Sequence, residues 1–483
     1  MTNQRTDLIV VGAGHAGAEA AWFAAKRGCR VTVYTINLDL VGQMSCNPAI
    51  GGLAKGHMVV ELDAMGGLMP ILADQTGIQF KLLNRSRGAA VQAPRCQSDK
   101  IAYRHAVARA LNNHPLITVR QGIVASLMIQ GNQVTGVRLL DGDAMLASAV
   151  VLTTGTFLGG KIFIGEAVYQ AGRTNELASV ELDAFIRDLG FRLGRMKTGT
   201  PARLARDSID FSKFEEQPGD ESPTFFSHAT QEVALPQVSC YLGYTSDLTK
   251  KIIEDNLHRS PLFSGEITGV GPRYCPSLED KYKKFPDKPH HQLFLEPESL
   301  QSEEIYVNGM STSMPMDVQW AMIRSVPGLE HAQLLRPGYA VEYTHIDPTE
   351  LFPTLACKQL DNLYFAGQIN GTSGYEEAAV QGMVAGLNAA LRIQNEEPTL
   401  FSREKSYIGV LIDDLVTKGA DEPYRMFTAR AEHRLLLDIF SADERLTEEA
   451  FRLGLVDKPR IRQVREKYYR IHQAIKQLEQ TKI

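Results

Sequence analysis

Three glycines, Gly12, Gly14 and Gly17, stand in the spacing G-x-G-x-x-G directly after the apolar run Leu8 to Val11 and before the alanine-rich stretch Ala18 to Arg27. That order of strand, turn and helix is the pattern of a dinucleotide cradle. The first glycine makes the tight turn, the second lets backbone approach a pyrophosphate, and the third lets helix and strand pack closely. The anion then rests on unpaired N–H groups at the positive end of the helix. The acid that usually follows about 20 residues later to hold the adenosine ribose is missing: the region Thr35 to Asn37 carries none, and only Asp39 lies near. The ribose contact is therefore unassigned.

Two thiols sit in loops built by proline and glycine. Cys46 lies in Leu40 to Lys55, beside the Asn47-Pro48 step and the pair Gly51-Gly52, with a helix expected to start near Gly52. Cys275 lies in Gly269 to Lys281, with Arg273 and Lys281 close in sequence. A thiol near its ordinary pKa of about 8.5 is only a few per cent ionised at neutral pH, so either would need a cationic neighbour to react, and Lys55, Arg273 and Lys281 are the neighbours in sequence. On spacing alone Cys46 reads as a buried structural thiol and Cys275 as incidental to a turn.

Further basic residues, Arg85, Arg87, Arg95 and Lys100, occupy polar stretches expected to be loops, where they could hold phosphates or carboxylates or simply face solvent. The 483 residues exceed one core and suggest two to four domains, and 44% apolar with 22% charged residues is an ordinary globular balance. A net charge of −5 leaves any nucleic-acid surface to a local patch. The six cysteines form no C-x-x-C pair, so free thiols and a cytoplasmic setting are expected. No run approaches the roughly 20 apolar residues of a membrane span.

The elements that must position these residues follow an α/β grammar. Strands are expected at Arg30 to Thr35, Ile117 to Gln121, Val124 to Gln130, Gln133 to Leu140 and Ala149 to Thr154, with a helix over Ile101 to Asn112. Residues 1–203 thus read as the first part of a doubly wound nucleotide domain with a β-meander. Nine of the 22 prolines fall between 204 and 302, which marks an inserted domain of loops and short strands. The nucleotide grammar resumes over 303–396, where a strand ending at Gln368 leads through Gly371 and Gly374 into a small-residue helix able to approach the same ligand. From 397 to 483 the pattern is helical, ends in a basic stretch from Lys458, and stops in mid-pattern, as a C-terminal helical domain cut short would.

Taken together, Gly12 to Gly17, Gly42 to Gly52 around Cys46, Lys197 to Pro201, Gly271 to Asp280 around Cys275, Ala366 to Gly371 and Ser406 to Tyr424 closely resemble the MnmG (GidA) family of FAD-dependent enzymes that modify the wobble uridine of tRNA. Ala202, where the family usually has proline, and Asp438 to Ser441, in place of a more polar run, depart from it locally. The resemblance implies a Rossmann-like FAD-binding domain with an inserted NADH-binding α/β domain and a C-terminal helical domain. It implies a homodimer that joins the GTPase MnmE and builds a carboxymethylaminomethyl or aminomethyl group on uridine C5 from methylene-tetrahydrofolate and glycine or ammonium, with FAD and NADH.

By resemblance Cys46 and Cys275 are catalytic, their individual roles open. FAD falls on Gly12, Ala13, Gly14, His15, Ala16, Gly17, Val124, Ser179 and Gln368. NADH falls along Gly271, Pro272, Arg273, Tyr274, Pro276, Ser277, Leu278, Glu279, Asp280, Lys281, Tyr282, Lys283, Lys284 and Phe285. No metal site is expected. Two other functions fit part of the pattern: a folate- and FAD-dependent tRNA uracil-C5 methyltransferase of the TrmFO type, against which the Cys46 loop and the segment from Tyr407 argue, and a flavin-bound RNA scaffold without catalysis.

Overall fold

A computed structural model describes residues 5–273 and 276–481. Its largest sheet has seven strands. Arg5–Val11 lies at the centre, parallel to Val31–Thr35 on one side and to Ala144–Leu152 on the other, with Ile117–Gln121 beyond Val31–Thr35. Leu363–Phe365, from much later in the chain, pairs in parallel with Val150, Val151 and Leu152. Val124–Gln130 and Gln133–Leu139 complete the sheet as the antiparallel meander that the turn Gly131-Asn132 foretells. Leu8, Ile9, Val10, Val150 and Leu152 are fully buried, as uninterrupted β-branched and aliphatic runs in a sheet covered on both faces must be.

Two helices cover one face by packing on each other through small residues. His15–Lys26 and Tyr375–Ile393 cross where Gly382 meets Ala16 and Gly386 meets Ala20; a Cβ on either glycine would fall 2.1 Å and 2.2 Å from the facing carbonyl oxygens. The alanine- and glycine-rich composition of both segments is thus a packing requirement.

An antiparallel sheet of four strands, Lys161–Ile164, Ala167–Gln170, Leu193–Thr200 and Tyr339–Ile346, adjoins the nucleotide sheet. Thr200-Pro201-Ala202 leads from it into a six-stranded sheet with its own core, built from Arg203–Ala205, Glu215–Gln217, Cys240–Tyr244, Gln292–Pro297, Glu304–Asn308 and Leu334–Arg336. A last, three-stranded sheet contains Ala93–Ser98, expected to be loop, as its central strand between Ala49–Gly51 and Gly77–Leu83. Ala93 and Cys96 are buried there, and Arg95 pairs with Glu296 at 2.7 Å, so a polar sequence is held in a strand by partners remote in the chain.

The helices after residue 397 dock on the nucleotide unit. Buried Glu61 accepts from Tyr407 and Ile408 N–H, both at 3.0 Å, at the start of helix Tyr407–Lys418, and pairs with Arg445 at 2.9 Å. In the basic helix Lys458–Gln480, Arg465 pairs with Glu448 and Lys467 with Asp443, so part of its charge is spent within the chain. Among the described residues no helix is long and apolar enough to cross a membrane, and no cluster of ligands suited to a metal ion is present.

Candidate active site

The carboxyl ends of the parallel strands open on one cleft, partly exposed to solvent. Its walls come from Gly12 to Ala16 after the first strand, Thr35 to Asn37 after the second, Thr153 to Phe157 after Ala144–Leu152, and Ala366 to Gln368 after Leu363–Phe365. The chain leaves the central strand toward Val31–Thr35 on one side while Ala144–Leu152 flanks it on the other, and such a switch point is where open α/β sheets bind ligands.

The glycines do there what their spacing implies. Gly12 has φ +105°, which disfavours any side chain, and its carbonyl is fastened by the Thr153 hydroxyl at 3.0 Å. A Cβ on Gly17 would lie 1.9 Å from the Gly12 oxygen, so helix and turn touch. A Cβ on Gly14 would meet nothing within 4 Å. Gly14 therefore fronts open space, and its missing side chain leaves room for a ligand.

Val124, Ser179 and Gln368 also line the cleft, together with His15. Burial holds the His15 imidazole neutral, its pKa brought down to about 3, and its Nε2 has no protein partner. The second helix N-terminus arrives from the other side, with Ser373, Gly374, Tyr375 and Ala378 on the wall. Tyr375 stacks on His15 with ring centroids 4.5 Å apart. Asp39 is not on the wall: Thr35, Ile36 and Asn37 take that edge, as the absence of an acid in their sequence implies.

Cys46 lines this same cleft and is only partly buried, against the reading from spacing alone. Its N–H donates to the Tyr375 hydroxyl at 2.7 Å, and its Sγ lies 3.6 Å from the Gly199 carbonyl and 3.1 Å from the Tyr306 hydroxyl. Lys55, expected as its cationic neighbour, is engaged with Glu376 at 2.8 Å and Glu377 at 2.9 Å. The cations that hold the thiol's loop are others. Arg173 donates to Ser45 Oγ at 3.2 Å, and buried Arg203 reaches the Cys46 carbonyl at 3.4 Å. Neither was singled out in the sequence, where Arg173 and Arg203 lie more than 120 residues from Cys46 with no motif to join them.

The remaining described thiols are buried. Burial raises Cys29 to about 11 and Cys240 to about 12, and pushes Cys96 and Cys357 up as well.

Tyr274 and Cys275 lie outside the described residues. Up to that point the segment runs beside the cleft: Lys197 N–H donates to the Val270 carbonyl at 2.8 Å, on the strand whose Thr198, Gly199 and Thr200 form the wall. The residues from Pro276 to Phe285 are not on that wall. Leu278 and Tyr282 are buried in the second core, and Ser277 is buried. Buried Glu279 accepts from Ser313, and Asp280 pairs with Lys284. Lys281 donates to the Gly309 carbonyl, Lys283 covers the Phe263 ring, and Phe285 is half exposed.

The sequence model of the family described as glucose inhibited division protein A matches residues 7–397. This chain belongs to that family. It is 51% identical over 477 residues, 99% of its length and 76% of the relative's, to the tRNA uridine 5-carboxymethylaminomethyl modification enzyme MnmG of Thermodesulfovibrio yellowstonii. It is 52% identical over 477 residues to the protein of the same name from Geobacter sulfurreducens. The solved structure of GidA from Aquifex aeolicus superposes with a TM-score of 0.95 at 48% identity, over 100% of this chain and 79% of that one. The GidA fold is therefore the fold of this chain.

Proposed function

We propose that this chain is a tRNA-modifying flavoenzyme that builds a carboxymethylaminomethyl or aminomethyl group on C5 of the wobble uridine. The observation that carries the mechanism is that Cys46 lines the same cleft as the turn Gly12 to Ala16. FAD is the dinucleotide this cleft fits: Gly14 leaves space for the pyrophosphate, and the ends of helices His15–Lys26 and Tyr375–Ile393 offer N–H groups from two sides. When bound, FAD supplies redox chemistry and a carrier atom for a one-carbon unit.

The chain's own contribution is at the uracil ring. C5 is a poor nucleophile until a thiolate adds at C6. That addition forms an S–C6 bond and moves the C5–C6 π pair into an enolate spread over C5, C4 and O4. Once C5 has been substituted, loss of its proton and expulsion of the thiolate restore the ring. The base must leave its stack to reach the thiol.

Cys46 and Cys275 are the two thiols proposed for this work, one adding to C6 and the other handling protons. NADH supplies the electrons along Gly271 to Phe285, the segment that follows Val270, whose carbonyl accepts from Lys197 N–H beside the wall. Methylene-tetrahydrofolate is the one-carbon donor, and glycine or ammonium the amine. Family membership supports action in the cytoplasm as a homodimer with the GTPase MnmE.

Cys46→Ser and Cys275→Ser should each abolish tRNA modification in a complemented deletion strain, while purified protein keeps FAD and NADH oxidation; Cys29→Ser should stay active. A thiol needed in the chemical step lowers turnover without lowering ligand affinity. Normal wobble-uridine modification in either of the first two would remove that cysteine from the mechanism.

A further inference from the structure

Around Cys46 the structure places a set of groups that no sequence motif connects. Tyr306, on strand Glu304–Asn308 of the six-stranded sheet, is buried, and its hydroxyl stands 3.1 Å from Cys46 Sγ. The Arg203 guanidinium covers the Tyr306 ring at 4.8 Å. That cation is fixed in turn by Glu298 at 2.8 Å, Thr200 Oγ1 at 2.6 Å and the Pro201 carbonyl at 2.6 Å. Lys100 holds the other Glu298 oxygen at 2.8 Å.

We propose that Tyr306 is a positioning residue for the reaction, donating its hydroxyl proton to the Cys46 sulfur so that the thiolate is held and turned toward the cleft. The proposal rests on Cys46 acting as a nucleophile. The thiol can point its own proton at the Gly199 carbonyl, which leaves the sulfur to accept from the phenol. A cation over the ring draws electron density from it and makes the hydroxyl a stronger donor. A donor to sulfur favours the thiolate over the thiol.

The charged groups packed around Cys46 are cations, each matched by a carboxylate. Arg203 donates to the Cys46 carbonyl and Arg173 donates to Ser45 Oγ. Tyr375, which accepts the Cys46 N–H, is held protonated by burial. The nearest acids are already matched: Glu298 by Arg203 and Lys100, Glu376 by Lys55, and Glu176 by Arg173. Lys55 also pairs with Glu377, so the four cations and four carboxylates balance and the phenol meets the thiolate where no carboxylate is left unmatched.

The test is the pH dependence of Cys46 alkylation by iodoacetamide in purified holoprotein, with the Cys46 peptide followed by mass spectrometry so that other thiols do not contribute. Cys46 in the unaltered protein should react with an apparent titration below that of a free thiol. Tyr306→Phe should raise it by about one pH unit, a tenfold slower reaction at neutral pH, with FAD content unchanged. A profile identical to that of the unaltered protein in folded, yellow Tyr306→Phe would overturn the proposal.

If Tyr306→Phe does not fold, 3-fluorotyrosine at position 306 keeps the shape with a more acidic hydroxyl. A downward shift then supports the role and an unmoved profile overturns it. Should Cys46→Ser retain tRNA modification while Tyr306→Phe still shifts the alkylation profile, the positioning stands and the nucleophile assignment falls.

Discussion

At Gly14 and Gly17 the same residue type does two different jobs, and substitutions should separate them. A Cβ at Gly14 meets no protein atom within 4 Å, so Gly14→Val should fold normally and emerge from gel filtration without flavin. At Gly17 the first carbon added would sit 1.9 Å from the Gly12 carbonyl oxygen, so Gly17→Ala should lower thermal stability as well as flavin content. Full flavin absorbance in Gly14→Val would show that the turn does not face the cofactor.

Glu298 offers a second residue-scale test, because burial opposes its charge yet Arg203 and Lys100 hold its pKa down to about 2 from 4.5. A folded pKa below the unfolded one means that its contribution is complete above pH 4.5 and fades as pH falls toward 2. Glu298→Gln leaves two buried cations unmatched and should cost about 3–5 kcal/mol at pH 7, the usual penalty for breaking a buried pair. Urea midpoints should show that gap narrowing below pH 4.5. A gap independent of pH would mean that the carboxylate's charge is not what stabilises the site.

Among the elements, the crossing of His15–Lys26 with Tyr375–Ile393 governs the cleft, since Ala16 and Ala378 on the two helices both line it. Gly386→Ala puts a methyl 2.2 Å from the Ala20 carbonyl and must push the helices apart. Overpacking of this kind costs about 1–3 kcal/mol. Flavin retention should fall with the melting temperature, and a variant that melts and retains FAD like the parent would contradict this account of the glycines.

That crossing also marks how far the sequence was legible. The βαβ unit, the meander and the second glycine-rich helix follow from local patterns, so the cofactor cleft was visible residue by residue. Ala93–Ser98 was not, because a polar stretch becomes a strand only when Ala49–Gly51 and Gly77–Leu83 pair with it and Glu296 matches Arg95. Arg203 and Tyr306 were invisible for the same reason: their relation to Cys46 is made by a sheet from another part of the chain. The Cys46 loop itself carried a chemical meaning only through its family resemblance, since spacing favoured a structural thiol.

On the scale of the whole molecule, one carboxylate joins the nucleotide unit to the helices that follow it: Glu61 accepts from Tyr407 and Ile408 and pairs with Arg445. The six-stranded sheet is joined in turn through Thr200-Pro201-Ala202, so the wall of the cleft and the strands carrying Arg203 and Tyr306 are continuous in the chain. The thiol loop, the glycine turn and the six-stranded sheet therefore meet at one cleft, the arrangement that the proposed reaction of a thiol beside a flavin requires. The most direct test is mass spectrometry of wobble nucleosides from tRNA of a deletion strain whose only copy of this function is the present gene. The predicted result is uridine carrying a carboxymethylaminomethyl or aminomethyl group at C5, absent when Cys46 is replaced by serine; unmodified uridine with the unaltered gene, or a plain C5-methyl group, would contradict it.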